Sequence, residues 1–315
     1  MQYKSVGERA EHIRKRVRAA NYLTVAQIFL RDNFLLEKKL SFNDVKPRLL
    51  GHFGSCPGVN LMYAVLRDIF QDSLDNYSFI LGPGHAFPAL NANLYIDGEL
   101  PEKDVGEFCR KFSWPGGYPS HASPYTPGVI TEGGELGYAL GAAYGQVLGH
   151  PEKTVAVMLG DGEMETATAL ASLNLNKLIC GGNNGKVMPI LHLNGYKISG
   201  PTIMGRKSER ELHQELRGFG YTVVDIDATD VSEEEILTKM EKAVRLEKPF
   251  VIFRSRKGET GPEYVGDKKV AGNFLSHQVP LPLAKSDETQ LTQLREWLEG
   301  YKFSELYDKE KGFTI

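Results

Sequence analysis

The 315 residues, 41% hydrophobic and 24% charged, sit near the averages of a folded α/β protein and hold no polar tract that would argue for disorder. A net charge of −3 from 37 basic and 40 acidic residues spread along the chain excludes a basic stripe for nucleic acid or a membrane surface. The three cysteines, Cys56, Cys109 and Cys180, fit neither a zinc site nor a disulfide framework and are expected to be buried free thiols.

The N-terminal segment, Arg-rich from Glu8 to Arg18, lacks the apolar core of a signal peptide, and no run approaches a membrane span, so the expected location is cytoplasmic. Mixed polar and apolar residues from Ile13 to Leu30 predict one or two surface helices in an N-terminal helical arm covering about residues 1–45. A turn-rich stretch from Lys46 to Gly58 follows, then helical spacing over Asn60 to Phe70. The β-rich run Tyr77 to Leu81 stops at Gly82-Pro83-Gly84, a strand feeding a tight loop.

Residues Trp114 to Gly134 are dense in Gly, Pro, Ser and Thr and read as a long functional loop. It runs into Glu135 to Leu148, a Gly- and Ala-rich helix whose small side chains permit close approach of a backbone or a ligand. Regular alternation then sets in: strand Thr154–Leu159, helix Glu163–Leu178, strand Val187–Leu193, helix Glu209–Arg217, strand Tyr221–Ile226, helix Ser232–Leu246, strand Phe250–Phe253. The strands are nearly continuous apolar runs, as in a parallel sheet covered on both faces. Ser232 and Glu235 offer a capping box. A last helix is expected near Glu288–Leu298, within about residues 286–301. The expected fold is one doubly wound α/β domain over residues 1–315 with a mainly parallel sheet flanked by helices.

In such sheets ligands bind beyond the carboxyl ends of the strands, where glycines allow a sharp turn and the next helix offers free N–H groups. Gly160-Asp161-Gly162, followed by Glu163, stands at one strand end, and Asn194-Gly195-Tyr196 at the end of the next. The Asp161 carboxylate, the Asn194 amide oxygen and the Tyr196 backbone carbonyl form a hard-oxygen set suited to Mg²⁺ bridging a diphosphate; zinc would call for His or Cys.

This Gly-Asp-Gly then Asn arrangement resembles the thiamine-diphosphate signature, and further words narrow it. Pro47 to His52 (PRLLGH), Gly82-Pro83-Gly84-His85, Pro119-Ser120-His121, Glu132 to Gly137 (EGGELG), His192 to Ile198 (HLNGYKI), Lys257-Gly258 with Thr260-Gly261-Pro262, and Ser276 to Leu281 (SHQVPL) are similar to phosphoketolase segments in phosphoketolase order. The likeness, running from about Tyr22 to Leu281, is to the phosphoketolase family within the transketolase superfamily.

That resemblance implies a site and a partner. Gly134, Glu135 and Leu136 match the loop approaching the diphosphate. His52, His85, His121 and His277 match active-site histidines, able to trade protons near neutral pH, and Lys257 matches a lysine near substrate and cofactor. It implies thiamine diphosphate and Mg²⁺ as cofactors and cleavage of a ketose, expected to be a sugar phosphate, to a two-carbon cofactor adduct. In the transketolase branch that unit passes to an aldose; a third possibility is a non-catalytic cofactor-holding partner. The family's chain is more than twice this length, so a second subunit carrying the pyrimidine-binding and C-terminal domains is expected, in an α₂β₂ heterotetramer.

Some positions depart from the family pattern. Ala86-Phe87-Pro88 stands where Gly-Gly-Pro is usual, Thr131 replaces a histidine, and Met164 and Ala167 alter the run after Gly160. The aromatic ring of Phe87 is expected to change substrate shape, and the metal and diphosphate residues are intact.

Overall fold

The computed structural model describes residues 5–315. Five parallel strands form the central sheet: β1 (Tyr77–Leu81), β2 (Thr154–Gly160), β3 (Lys186–Leu193), β4 (Thr222–Asp227) and β5 (Pro249–Arg254), in the order β1-β2-β3-β5-β4. Register runs Tyr77↔Thr154, Thr154↔Lys186, Ile190↔Val251 and Thr222↔Pro249. Because side chains alternate along a strand, Ala156, Met158, Met188 and Ile190 join one apolar cluster, and Val155, Val157, Leu159 and Leu191 another. The first cluster takes in helices α1 (Val6–Phe29), α2 (Cys56–Ile69), α3 (Phe87–Ile96), α4 (Val105–Lys111), α8 (Glu233–Arg245) and α9 (Glu288–Gly300). The second takes in α5 (Ala139–Val147), α6 (Ala167–Ser172) and α7 (Glu209–Gly218). The sheet is therefore covered on both faces, as the apolar strands require.

Helix α1 corrects the expectation of surface helices. It is one helix of 24 residues, capped by Ser5, and its second half, from Ala19 to Phe29, is buried throughout. Its polar residues are matched inside: Asn60 Nδ2 donates to Asn21 Oδ1 at 2.7 Å, Asn93 Nδ2 to Asn60 Oδ1 at 2.8 Å, and Asn91 Nδ2 to Gln27 Oε1 at 2.6 Å. These bonds offset the cost of burying the amides, although Asn91 Oδ1 and Asn93 Oδ1 themselves accept no hydrogen bond. Lys46 is buried in the same way, its ammonium donating to the carbonyls of Gln27, Cys109 and Phe112 at 2.7, 2.9 and 2.8 Å. The Gln27 carbonyl lies in the last turn of α1 and the other two at the end of α4, so one cation serves two helix C-termini.

Other boundaries shift for local reasons. Helix α5 starts at Ala139, four residues later than expected, because Gly137 takes φ +99. The helix expected over Glu163–Leu178 is three pieces: a 3₁₀ turn at Glu163–Glu165, α6, and a 3₁₀ turn at Leu173–Lys177. Thr166 restarts it as the N-cap of α6, accepting from Ala169 N–H at 3.3 Å. Only half of the Ser232–Glu235 box forms: Ser232 accepts the Glu235 N–H, while the Glu235 carboxylate pairs with Lys239 at 2.9 Å. Helices α3 and α4 were not anticipated; α3 is buried all round from Phe87 to Tyr95 and so has no periodic stripe to read. Cys56 and Cys109 are buried, but Cys180 is exposed, in a turn after the second 3₁₀ piece. Among the described residues no helix is long and apolar enough to cross a membrane.

Candidate functional site

Loops from the carboxyl ends of β1, β2, β3 and β5 converge on one cavity of about 330 Å³. Asp161, Asn194 and Tyr196 all line it, together with Gly134, Leu136, Gly160, Gly162, Glu163, Lys257 and the four histidines His52, His85, His121 and His277. Glu135 is the one expected site residue that does not; it is exposed beside the cavity.

The Asp161 carboxylate is held from three sides. Gly162 N–H donates to Oδ1 at 3.0 Å, while Gly195 N–H at 2.6 Å and Thr202 Oγ1 at 3.2 Å donate to Oδ2. Burial raises its pKa to about 6, against the lowering effect of the Lys257 charge and these donors. Asn194 Oδ1 accepts from Tyr196 N–H at 3.1 Å and its Nδ2 donates to Ser55 Oγ at 3.4 Å, which fixes the amide flip. The loop after Asn194 closes on itself, Thr202 N–H donating to Gly195 O at 2.9 Å and Gly205 N–H to Thr202 Oγ1 at 3.0 Å.

Gly162, expected from sequence as a cofactor-binding position, has its N–H taken by Asp161. Gly160 N–H is likewise taken, by Glu163 Oε2 at 3.1 Å, and the other oxygen of Glu163 accepts from Gly137 N–H at 3.2 Å. Glu163 thus staples the turn after β2 to the loop ahead of α5, and burial raises its pKa to about 7. Gly134 faces open space, with nothing within 4 Å of where its Cβ would be. Its neighbour Gly133 instead crosses Gly84 backbone to backbone. Between them the chain of Ala122 is strung, donating to Gly84 O at 2.9 Å and accepting from Gly133 N–H at 2.7 Å. That strap seats His121 next to the loop bearing His85.

His52 and His277 are brought together by backbone bonds, Phe53 N–H to Gln278 O at 3.0 Å and Gly54 N–H to His277 O at 3.4 Å. The His52 ring is the hub, its centroid 5.2 Å from His85, 5.1 Å from His121 and 5.2 Å from His277. Desolvation lowers every member: His52 to about 4, His277 to about 3, with His85 and His121 also lowered. Neighbouring imidazoles and the Lys257 charge add to the effect at His52 and His277. These are neutral imidazoles at pH 7, each with one donor and one acceptor nitrogen. His52 Nδ1, His85 Nε2 and His277 Nδ1 are buried without a hydrogen-bond partner in the protein. A second cavity of about 540 Å³ shares His52, His121 and His277, so these three of the four histidines border both spaces.

Sequence reasoning passed over Ser55, His192 and Thr202. His192, buried one strand residue before the Leu193–Asn194 exit, shares a 2.7 Å bond with Ser255 Oγ, and Gly58 leaves room for its ring. The quoted segment HLNGYKI contains His192, but only the packing of α2 against β3 shows that it backs the cavity. Phe87 turns the other way: it is fully buried, its ring 6.4 Å from that of Phe112, and it does not line the cavity. The expected change of substrate shape by that ring is therefore corrected.

A family model described as the XFP N-terminal domain matches residues 4–314. The chain belongs to this phosphoketolase family. It is 41% identical to a protein of Rhodopseudomonas palustris (strain BisB5) named "Probable phosphoketolase", over 94% of this chain and 41% of that one. Similarly named family members from Pseudomonas putida (strain F1 and its collection equivalents) and Bifidobacterium animalis subsp. lactis (strain AD011) are 42% and 40% identical, over 93% and 96% of this chain. The chain spans about two fifths of the length of the curated relatives it matches. Among solved structures it is similar to transketolase from Leishmania mexicana, with a TM-score of 0.63 and 18% identity, over 96% of this chain and 46% of that one. The Campylobacter jejuni transketolase gives a TM-score of 0.63 and 18% identity, over 93% and 47% of the two chains. These likenesses establish the thiamine-diphosphate-binding fold expected from the sequence.

Proposed function

We propose that the chain is the diphosphate- and Mg²⁺-binding part of a thiamine-diphosphate-dependent phosphoketolase. The observation that carries this reading is the convergence of Asp161, Asn194 and Tyr196 on one cavity beside the open space over Gly134. A carboxylate, an amide oxygen and a backbone carbonyl are donors for a hard cation, and Mg²⁺ favours few protein ligands plus phosphate oxygens. The residues fit the group: Asp161, Asn194 and Tyr196 would hold the metal, and Gly134 and Leu136 would flank the diphosphate.

Bound there, thiamine diphosphate would supply the electron sink for cleaving a carbon–carbon bond of a ketose. The protein's share is to bind, orient and handle protons. Neutral His52, His85, His121 and His277 can donate to a carbonyl oxygen or accept from a hydroxyl as the neighbouring carbon–carbon bond breaks. The four clustered histidines favour the phosphoketolase outcome, in which a hydroxyl must leave as water, over ketol transfer to an aldose.

In this reading a second polypeptide with the pyrimidine-binding and C-terminal domains completes the enzyme in an α₂β₂ assembly acting on a sugar phosphate. The matched relatives are more than twice as long, and co-purification tests whether a separate polypeptide supplies the remaining domains. Titration calorimetry tests the cofactor site: thiamine diphosphate should bind with Mg²⁺ and not without it, and Asp161→Ala should weaken binding more than about 100-fold. Mg²⁺-independent binding, or none even with the partner, would overturn the proposal. The co-purified assembly given a ketose phosphate, inorganic phosphate and an acceptor aldose should release acetyl phosphate; a new ketose instead would assign it to ketol transfer.

A further inference from the structure

Lys257 lies three residues beyond β5 and is only 2% exposed. Its Nζ donates to the Tyr196 carbonyl at 3.0 Å and approaches Asn194 Oδ1 at 3.4 Å and Ser55 Oγ at 3.5 Å. The Asp161 carboxylate is the nearby anion acting on it most strongly. Two of the three oxygens proposed as metal ligands are therefore already accepting from an ammonium of the chain itself, and the third ligand is its electrostatic partner.

We infer that Lys257 is a built-in counter-cation of the metal site, competing with the divalent ion for Asn194 Oδ1 and the Tyr196 carbonyl. This rests on the metal-site reading above and deepens it. Both oxygens contact the same ammonium, and two cations sharing them in a buried pocket repel strongly. A metal can enter only as the ammonium leaves. The lysine stem has four flexible carbons and its head three rotatable donors, so displacement needs no backbone movement. A displaced ammonium in a buried cavity needs an anion, and a diphosphate arriving with the metal supplies one. Metal and diphosphate should therefore bind cooperatively, with Lys257 carrying the coupling.

The test uses Mn²⁺ alone, followed by electron paramagnetic resonance, on the purified chain and on Lys257→Met and Lys257→Gln, with folding checked by circular dichroism. Mn²⁺ should bind at least about tenfold tighter to both variants than to the unaltered chain. Equal or weaker binding in the variants, with Mn²⁺ and thiamine diphosphate still binding the unaltered chain together, overturns the inference and leaves the metal site standing. No Mn²⁺ binding to any form, even with thiamine diphosphate, removes the metal site and the inference together. If neither variant folds, the Lys257 side-chain resonances of the unaltered protein decide: they should move on saturation with Mg²⁺ and cofactor, and unmoved resonances overturn the proposal.

Discussion

The backbones of Gly84 and Gly133 cross so closely that a methyl group on Gly84 would lie 2.1 Å from the Gly133 Cα, and one on Gly133 would lie 2.7 Å from the Gly84 Cα. Neither contact can be relieved by a side-chain rotation, because both partners are backbone. The crossing fixes how far apart the loops carrying His85 and His121 sit, since the Ala122 strap bonds to both glycines. Gly84→Ala should therefore cost at least about 2 kcal/mol, the range of forced overpacking, and also disturb the histidine cluster. Gly134→Ala, with open space around it, should leave thermal stability unchanged and weaken only diphosphate binding. Thermal denaturation with calorimetry on both variants separates the two roles.

Lys46 should be worth more than its position outside the cavity suggests. Lys46→Met keeps the stem and leaves three buried carbonyls without their donor. With about 1–3 kcal/mol for each buried group left unsatisfied, a loss of about 3 kcal/mol or more is expected, seen as a lower urea midpoint with unchanged slope.

Thr202 supports Asp161 without facing the ligand: its hydroxyl donates to Asp161 Oδ2 and accepts from Gly205 N–H. Thr202→Val keeps the shape and removes both bonds. The expected result is about a tenfold loss in Mg²⁺-dependent cofactor affinity, in the range of supporting partners of metal ligands, whereas Thr202→Ser should restore it. Calorimetry of the three forms reads this directly.

The histidine cluster gives the fold an acid sensitivity whose sign can be worked out. His52 and His277 bind a proton in the unfolded chain below about 6.5 but in the folded chain only below about 4 and about 3. Between those values the unfolded state holds more protons, so stability falls as pH drops from 6.5 toward 3. Asp161 and Glu163 act oppositely, since their folded values of about 6 and 7 exceed 3.8 and 4.5. Stability from these two rises as pH falls through that interval. His277→Gln removes one of the acid-labile members and should flatten the loss between pH 6.5 and 3 measured by urea unfolding. A steeper loss would contradict the assignment.

The oxygen donors were legible because glycine-flanked Asp161 and Asn194 follow two consecutive apolar strands, and strand period plus turn chemistry place both at the same edge of a parallel sheet. The burial of α1 was not legible: Asn21, Thr24 and Gln27 read as solvent-facing until Asn60 from α2 and Asn91 from α3 arrive to satisfy them. The break at Glu163 was hidden for the same reason, since its carboxylate is occupied by the N–H groups of Gly160 and Gly137, one of them from a distant loop.

Local spacing by itself determined the α/β alternation and the placement of the chemical groups at strand ends, because periodicity and turn residues act over a few positions, while the family rested on the likeness of whole segments such as EGGELG and HLNGYKI. Only the tertiary structure decided which of those groups meet: the ring of His52 among three others, the Gly84–Gly133 crossing, and the ammonium of Lys257 on the carbonyl of Tyr196. Each joins segments tens of residues or more apart, and no local rule fixes how such segments pack or where a buried polar atom finds its partner.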